Sequence, residues 1–353
     1  MSKKTIAILV PFLSIILAFL IGAIIMACLG ANPFDAIKYL AVGSFGNITN
    51  IGTTLNKAMP LMACALCACF AYKCGVFNLG GEGQFIMGAV ASCCFALLCG
   101  FEGPLACICC LLVGAIAGGL WGLIPGILKI TRKQNEMIIS IMMNYVATLF
   151  MGVVYTNWLR EGSVPQTAAV PDATKLGRIF PNLRFTWGLL IIVAIGVLMW
   201  FFLYRTSTGF KMRAVGINMT ASKFNGFPVN KLMLASFVIS GAIAGLGGSA
   251  ELLGTQLRLI NGFGAGYGFD GVAMALIGQL NPLATIIVAI FFAALRVGST
   301  TMQAATGVPT SVSDIIQALV IVFTVAGMAL IQLPEFEAFR LKLAAKKESK
   351  KEA

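Results

Sequence analysis

The stretch KCGVFNLGGEGQFIMGAV, Lys73 to Val90, runs a charged, glycine-rich segment straight into an apolar span. Asn78, Glu82 and Gln84 fall where a bilayer-spanning helix begins. A carboxylate and two amides at membrane depth are costly, so such groups face a cavity or another helix. Gly75, Gly80, Gly81 and Gly83 let the backbone bend or pack closely. Glycine-interrupted helices are how transporters bring backbone and polar groups into the membrane interior. A second reading is a loop followed by an ordinary helix start, with Glu82 as a first-turn charge on the positive helix end. The residues alone leave both readings open.

The rest of the chain settles its class. Of 353 residues, 59% are apolar and 11% charged, and the mean hydropathy is +0.92. That composition excludes a soluble domain and identifies an all-α polytopic membrane protein. The net charge of +12 does not point to nucleic acid, because the basic residues lie in short loops and at both ends. Met1 to Lys4 is basic, but the apolar run Ile6 to Leu29 is long enough to span and stay, so no cleaved signal is expected. The eleven cysteines lie mostly in apolar runs, and the Cys64-x-x-Cys67 pair sits inside a span. They read as small packing residues rather than redox or metal ligands. The chain has no histidine, which removes the usual general base and most metal sites. No catalytic residue and no bound metal or cofactor is expected.

About ten spans are expected, near 6–30, 57–72, 78–99, 104–128, 137–158, 184–204, 232–253, 268–281, 283–303 and 311–333. The eighth is too short to cross as a plain helix, so it is tilted, broken or re-entrant. The membrane domain therefore covers 1–333, with a basic tail over 334–353. The first connection, 31–56, is long enough to lie along the membrane surface. Asn47-Ile48-Thr49 forms a glycosylation tripeptide, a pattern common by chance. The 159–183 connection, with Pro165, Pro171 and Pro181, reads as an external loop. A cytoplasmic amino terminus puts 17 of the 25 Lys and Arg inside and 7 outside, with Arg296 within a span. That bias places both termini in the cytoplasm.

One internal echo bears on the fold. Gly80-Gly81-Glu82-Gly83 opens the third span, and Gly268-Phe269-Asp270-Gly271 opens the eighth. Each run ends at a proline turn, at Pro104 and Pro282. The two spans run in opposite directions, as an inverted repeat with broken or re-entrant helices requires. Glu82 and Asp270 are the only acids this reading offers for a relay in the membrane. Asn144 and Gln317 suit interhelical hydrogen bonds. Arg296 and Asp314 either snorkel or form ion pairs. No G-x-x-x-x-G-K-[ST] phosphate loop occurs, so any ATP is bound by another polypeptide. The 205–231 connection is the natural docking surface. Within it, Asn218 to Phe224 suits a short helix bounded by Gly216 and Gly226, with Pro228 as a stop; a purely solvated, topology-setting loop is the other reading.

Four ordered motifs carry a family resemblance. Residues 75–84, GVFNLGGEGQ, resemble the FNIGxEGQ signature of ABC-type nucleoside and simple-sugar permeases. Residues 134–145, QNEMIISIMMNY, are similar to NExIxTxMLNY, with Ser140 for Thr and Met143 for Leu. Arg213-Ala214-Val215-Gly216-Ile217-Asn218, with Ala221 and Gly226, resembles the family's coupling loop, with Ser222 and Phe227 as departures. Residues 268–282 are similar to GFxGIAVALLGxxxP. The chain is thus identified as a member of the branched-chain amino acid and simple sugar permease superfamily, nearest its nucleoside branch.

The resemblance implies the permease subunit of an ATP-driven importer in the bacterial plasma membrane. It implies as partners an ABC ATPase, a second and related permease chain, and an extracellular substrate-binding lipoprotein. ATP is then used by the partner ATPase, and this chain makes no covalent change. Asn78, Glu82, Gln84, Asn144 and Asp270 are expected on the substrate path or packing beside it. Arg213, Ala214, Gly216, Asn218, Ala221 and Gly226 are expected in the ATPase coupling loop. Simple sugars such as ribose are the alternative cargo, and a self-sufficient secondary transporter is the alternative machine.

Overall fold

The computed structural model describes residues 3–100, 103, 105–179, 185–264 and 266–332, and side chains from residue 9 to 330. Thirteen α-helices account for most of them: α1 (Lys3–Cys28), α2 (Pro33–Phe45), α3 (Ile48–Lys73), α4 (Gly81–Leu98), α5 (Leu105–Arg132), α6 (Glu136–Val153), α7 (Trp187–Arg205), α8 (Ser207–Ile217), α9 (Met219–Phe224), α10 (Val229–Glu251), α11 (Tyr267–Ile277), α12 (Pro282–Thr306) and α13 (Ser311–Gln332). Among the described residues, nine are long and apolar enough to cross a membrane, and α11 is the short apolar helix left over. The eighth expected span is therefore an 11-residue helix. It is too short to cross, since about 20 helical residues are needed. The expected tail, 334–353, lies outside the described residues, as do Pro104 and Pro181.

The stretch 31–56 differs from the expectation of a surface connection. Pro33–Phe45 is helical, and α3 begins at Ile48, nine residues before the expected start. Asn47 explains the early start. Its Oδ1 accepts the Asn50 amide at 2.7 Å, which caps α3 and gives this asparagine a local structural role.

The chain divides into two compact units. One holds α1, α13, most of α2 and the end of α12 (residues up to 43 and from 298). Within it α1 and α13 pack closely through small residues: a Cβ on Gly22 would lie 2.6 Å from Ile316, and one on Gly327 would lie 2.7 Å from Val10.

The other unit, 44–297, is built around α3 and α10. Most of α3 is buried, from Ala58 through Ala71 without interruption. Helix α10 presses against α4 and α5 backbone to backbone. A Cβ on Gly245 would stand 2.4 Å from the Gly114 carbonyl oxygen and 2.8 Å from Gly118 Cα. In lipid the hydrophobic effect does not drive helices together, so close packing through small residues has to do it. All eleven cysteines are free, and six of them are buried in these packed faces.

This seam makes the first prediction. Gly245→Ala forces two backbones apart and is expected to destabilise the protein by about 1–3 kcal/mol. Gly152→Ala, on α6, meets nothing closer than the Tyr155 hydroxyl at 3.9 Å. It is expected to be neutral or to stabilise by up to about 1 kcal/mol. Thermal unfolding of the two variants in detergent checks the contrast.

Candidate functional site

The opening stretch forms a break between two helices inside the bundle. Helix α3 ends at Lys73, and Gly75 adopts φ +78°. The Gly75 amide bonds to the Tyr72 carbonyl and the Val76 amide to the Ala71 carbonyl, a Schellman closure that reverses the chain. The chain then turns back along α3. A Cβ on Gly81 would sit 3.6 Å from Cys67 Sγ. Cys67 lies six residues before the end of α3, about 9 Å of helix rise. Helix α4 therefore starts inside the bundle.

A helix start in such a place exposes amides that water cannot satisfy. Three amide side chains satisfy the break. Asn78 Oδ1 accepts from the Gly80 amide and from Gln84 Nε2, each at 3.0 Å. Asn78 Nδ2 donates to Ser240 Oγ on α10 at 2.9 Å and to Gln84 Oε1 at 3.0 Å. From α6, Asn144 Oδ1 accepts the Gly83 amide at 2.8 Å, and its Nδ2 donates to the Leu79 carbonyl at 2.9 Å. All three are buried. The stretch is a loop followed by a helix start with Glu82 in its first turn, as the second sequence reading has it, and its polar groups are packed against other helices, as the first has it.

The short α11 brings its own amino terminus to the same place. A Cβ on Gly268 would lie 2.5 Å from the Glu82 amide nitrogen, and one on Gly271 would lie 2.6 Å from the Cys64 carbonyl carbon. The two echoed motifs, GGEG and GFDG, thus meet against the middle of α3. Asp270 pairs with Arg296 on α12. Arg296 in turn lies over the Tyr267 ring, 5.9 Å from its centroid. Both members of the ion pair are partly exposed. The Gly266 and Gly268 amides act on the Glu82 carboxylate, yet Glu82 Oε2 is buried without a hydrogen-bond partner.

Two helix amino termini, each with a first-turn carboxylate, converge here beside one arginine. Their dipoles place partial positive charge at the junction. Among the described residues no group of His, Cys, Asp or Glu could hold a metal ion. Arg296, for which snorkelling and an ion pair were both open, is in an ion pair. Asp314 is exposed in the first turn of α13, and Gln317 is buried with Nε2 unpartnered.

The reading that offered Glu82 and Asp270 alone as acids for a relay passed over a third. Glu251 closes α10 and is 1% exposed. A lone carboxylate in an apolar run is a signal in itself, but its position at the end of the 232–253 run concealed it. Ser240 and Tyr267 also belong to the site, and nothing in the sequence marks them out.

The 205–231 segment folds as α8 and α9. Asn218 stands between them; its amide bonds to the Ala214 carbonyl at 3.0 Å, and its Oδ1 accepts the Ala221 amide at 2.9 Å to cap α9. Gly226, at φ +75°, ends the turn. This matches the expected short helix. Arg213 points inward: its Nε donates to the Leu203 carbonyl at 2.8 Å and its guanidinium lies over Tyr204 at 4.8 Å. Ile217 and Phe224, by contrast, are 87% and 88% exposed. Gly216 touches the break itself, since a Cβ there would meet the Lys73 carbonyl oxygen at 2.4 Å and the Gly75 amide at 3.0 Å.

At the far end of α10, the 159–179 segment packs along residues 253–260. Thr167 and Val170 amides bond to the Leu259 and Leu257 carbonyls at 3.2 and 2.9 Å. Lys175 holds the Asp172 carboxyl below its usual range by hydrogen bond and charge.

Asn144 gives a direct test of the break. Asn144→Ala removes the acceptor of the Gly83 amide and the donor to Leu79 together. With one buried and one part-buried group left unpaired, a loss of about 2–4 kcal/mol is expected. Thr148→Ala, which loses only a bond back to the Asn144 carbonyl, is expected to cost less than about 1 kcal/mol. Unfolding in detergent separates the two.

Residues 50–325 match the family model described as branched-chain amino acid transport system / permease component. A guanosine ABC transporter permease protein of Bacillus subtilis is 35% identical over 94% of this chain and 96% of its own length. A nucleoside ABC transporter permease protein of Lactococcus lactis is 31% identical over 99% of this chain and 100% of its own. A glucose ABC transporter permease protein of Haloferax volcanii is 31% identical over 90% and 87%. No solved structure matches the chain.

Proposed function

The chain belongs to the branched-chain amino acid transport system permease-component family, and from that membership we propose that it is the membrane-spanning subunit of an ATP-driven importer of nucleosides. The observation that carries the reading is the junction of α4 and α11, two helix ends meeting inside the bundle, with α8 against the turn that leads into α4. The nucleoside cargo follows from the relatives matched over nearly their full length, whose names specify guanosine and nucleosides. Simple sugars are the second reading, favoured by the glucose permease of similar identity.

In this reading ATP is bound and hydrolysed by a separate ATPase subunit, and this chain makes no covalent change. The ATPase docks on α8 and α9, where the exposed Ile217 and Phe224 supply an apolar contact on a basic segment. The Gly75–Gly216 contact carries the motion inward. Gly216 touches the turn after α3, and that turn leads in five residues to Gly80, the residue that precedes α4. A shift of α8 therefore moves the polar start of α4. Glu82 and Asp270 border the path, while Asn78, Gln84 and Asn144 hold its wall. A second, related permease chain completes the pore, and a binding lipoprotein delivers the cargo from outside. Both termini lie in the cytoplasm of a bacterial plasma membrane.

Uptake in vesicles containing this chain with its neighbouring permease, ATPase and binding protein tests the reading. ATP-dependent guanosine or adenosine uptake that resists competition by ribose and leucine is expected. Ribose uptake without nucleoside uptake would keep the machine and change the cargo. Uptake by this chain alone, without ATP, would overturn the reading. In the same vesicles, Gly216→Ala is expected to leave the complex assembled and hydrolysing ATP while uptake falls roughly tenfold. Equal losses of hydrolysis and uptake would count against a relay through Gly216.

A further inference from the structure

Away from the junction, a second polar cluster sits where α10 ends. The backbone over Leu252–Gln256 is π-helical, a widened turn that recurs at functional sites. Glu251 precedes it. Its Oε1 accepts from Gln256 Nε2 at 3.3 Å, but its Oε2 is buried and has no hydrogen-bond partner. On α3, Asn56 Nδ2 donates to Thr255 Oγ1 at 3.2 Å, and Asn56 Oδ1 is likewise buried without a partner. The ammonium of Lys57 acts on the Glu251 carboxylate through space. No salt bridge between them occurs among the described residues. Tyr267 lies in the field of the same carboxylate.

A carboxylate oxygen and an amide oxygen left bare inside a span are expensive. The amides Asn78, Gln84 and Asn144 each find partners on both ends, whereas here a carboxylate and an amide with bare oxygens are joined through Thr255 and Gln256 in one cluster. Both bare atoms are acceptors, and the Lys57 ammonium that acts on the carboxylate is a donor. A ligand that answers this set presents two neighbouring groups that each donate and accept. Vicinal hydroxyls do so: each gives its proton to an oxygen of Glu251 or Asn56 and can accept from Lys57. We infer that Glu251, Asn56 and Lys57 form a second station on the transport path, which binds the 2′,3′-diol of the ribose. The inference rests on the nucleoside reading and adds which part of the cargo the path recognises. Glu251 lies eleven residues beyond Ser240 on α10, about 16 Å of helix rise, so this station is distinct from the junction. Glu251 is closed off in this conformation, and occupancy requires α3 and α10 to part.

The test uses the complete complex in vesicles and compares guanosine, 2′,3′-dideoxyguanosine and inosine. Taking each variant relative to wild type cancels whatever the binding protein itself discriminates. Glu251→Gln is expected to raise the KM for guanosine and inosine alike by roughly tenfold. The dideoxy compound should shift by less than about twofold. Asn56→Ala is expected to show the same selective loss, and it decides the matter if Glu251→Gln fails to assemble. Equal losses for the ribo- and dideoxyribonucleoside would mean a structural role and overturn the inference. So would a loss confined to guanosine, whose base carries the extra amino group that inosine lacks. Wild-type vesicles that take up a hexose and no nucleoside would instead remove the cargo reading. The diol chemistry then stands or falls by whether Glu251→Gln weakens hexose uptake by the same factor.

Discussion

A helix that starts inside a packed bundle must find partners for its first amides within the protein, because bulk water does not reach them. That constraint shapes everything around residues 74–84. Asn78 folds the chain onto its own Gly80 amide, Gln84 closes the pair, and Ser240 ties it to α10. Asn144 reaches across from α6 to take the Gly83 amide. Remove these bonds and α4 has no reason to begin where it does. The meeting with α11 would then be lost, because Gly268 packs directly against the Glu82 backbone.

Close packing fixes the geometry that the hydrogen bonds permit. Helices α4, α5 and α10 touch at backbone distance through Gly88, Gly114, Gly118 and Gly245. Such contacts transmit displacement, because there is no side chain between the backbones to absorb it. The Gly75–Gly216 contact is of the same kind, placed where the α8–α9 segment meets the turn before α4.

Much of this was legible in the sequence. Apolar runs gave the helices, the shortness of 268–281 foretold α11, and the GGEG and GFDG echo named two segments that do meet. The Asn218 cap and the Gly226 turn were readable because capping is local chemistry. Other features were not local. Asn144 carries no mark that distinguishes a cap on another helix from an interhelical bond anywhere else. Arg213 reads only as one member of the basic coupling segment, yet it turns back to the end of α7. The early start of α3 was hidden because Asn47, Thr49 and Asn50 suit a loop by composition, and only the cap geometry makes them a helix start. Ser240 is one serine among many until the fold sets it beside Asn78.

The division between saturated and unsaturated polar groups is the most informative feature of the interior. The amides Asn78, Gln84 and Asn144 spend their hydrogen-bonding capacity on the protein. The carboxylates Glu82 and Glu251 each keep one oxygen bare, and Asp270 shares its charge with an arginine that is itself partly exposed. An amide is neutral and can be buried once its bonds are made, so these three suit the permanent wall of a path, while Asn56, with its oxygen bare, stands with the carboxylates. A carboxylate gains more from each new donor, because hydrogen bonds to charged groups are the stronger kind, so carboxylates suit positions met by a passing solute. A path that bound its cargo as completely as Asn78 binds Gln84 would not let it go. Stations with one or two bare acceptors bind enough to guide a polar solute and little enough to release it.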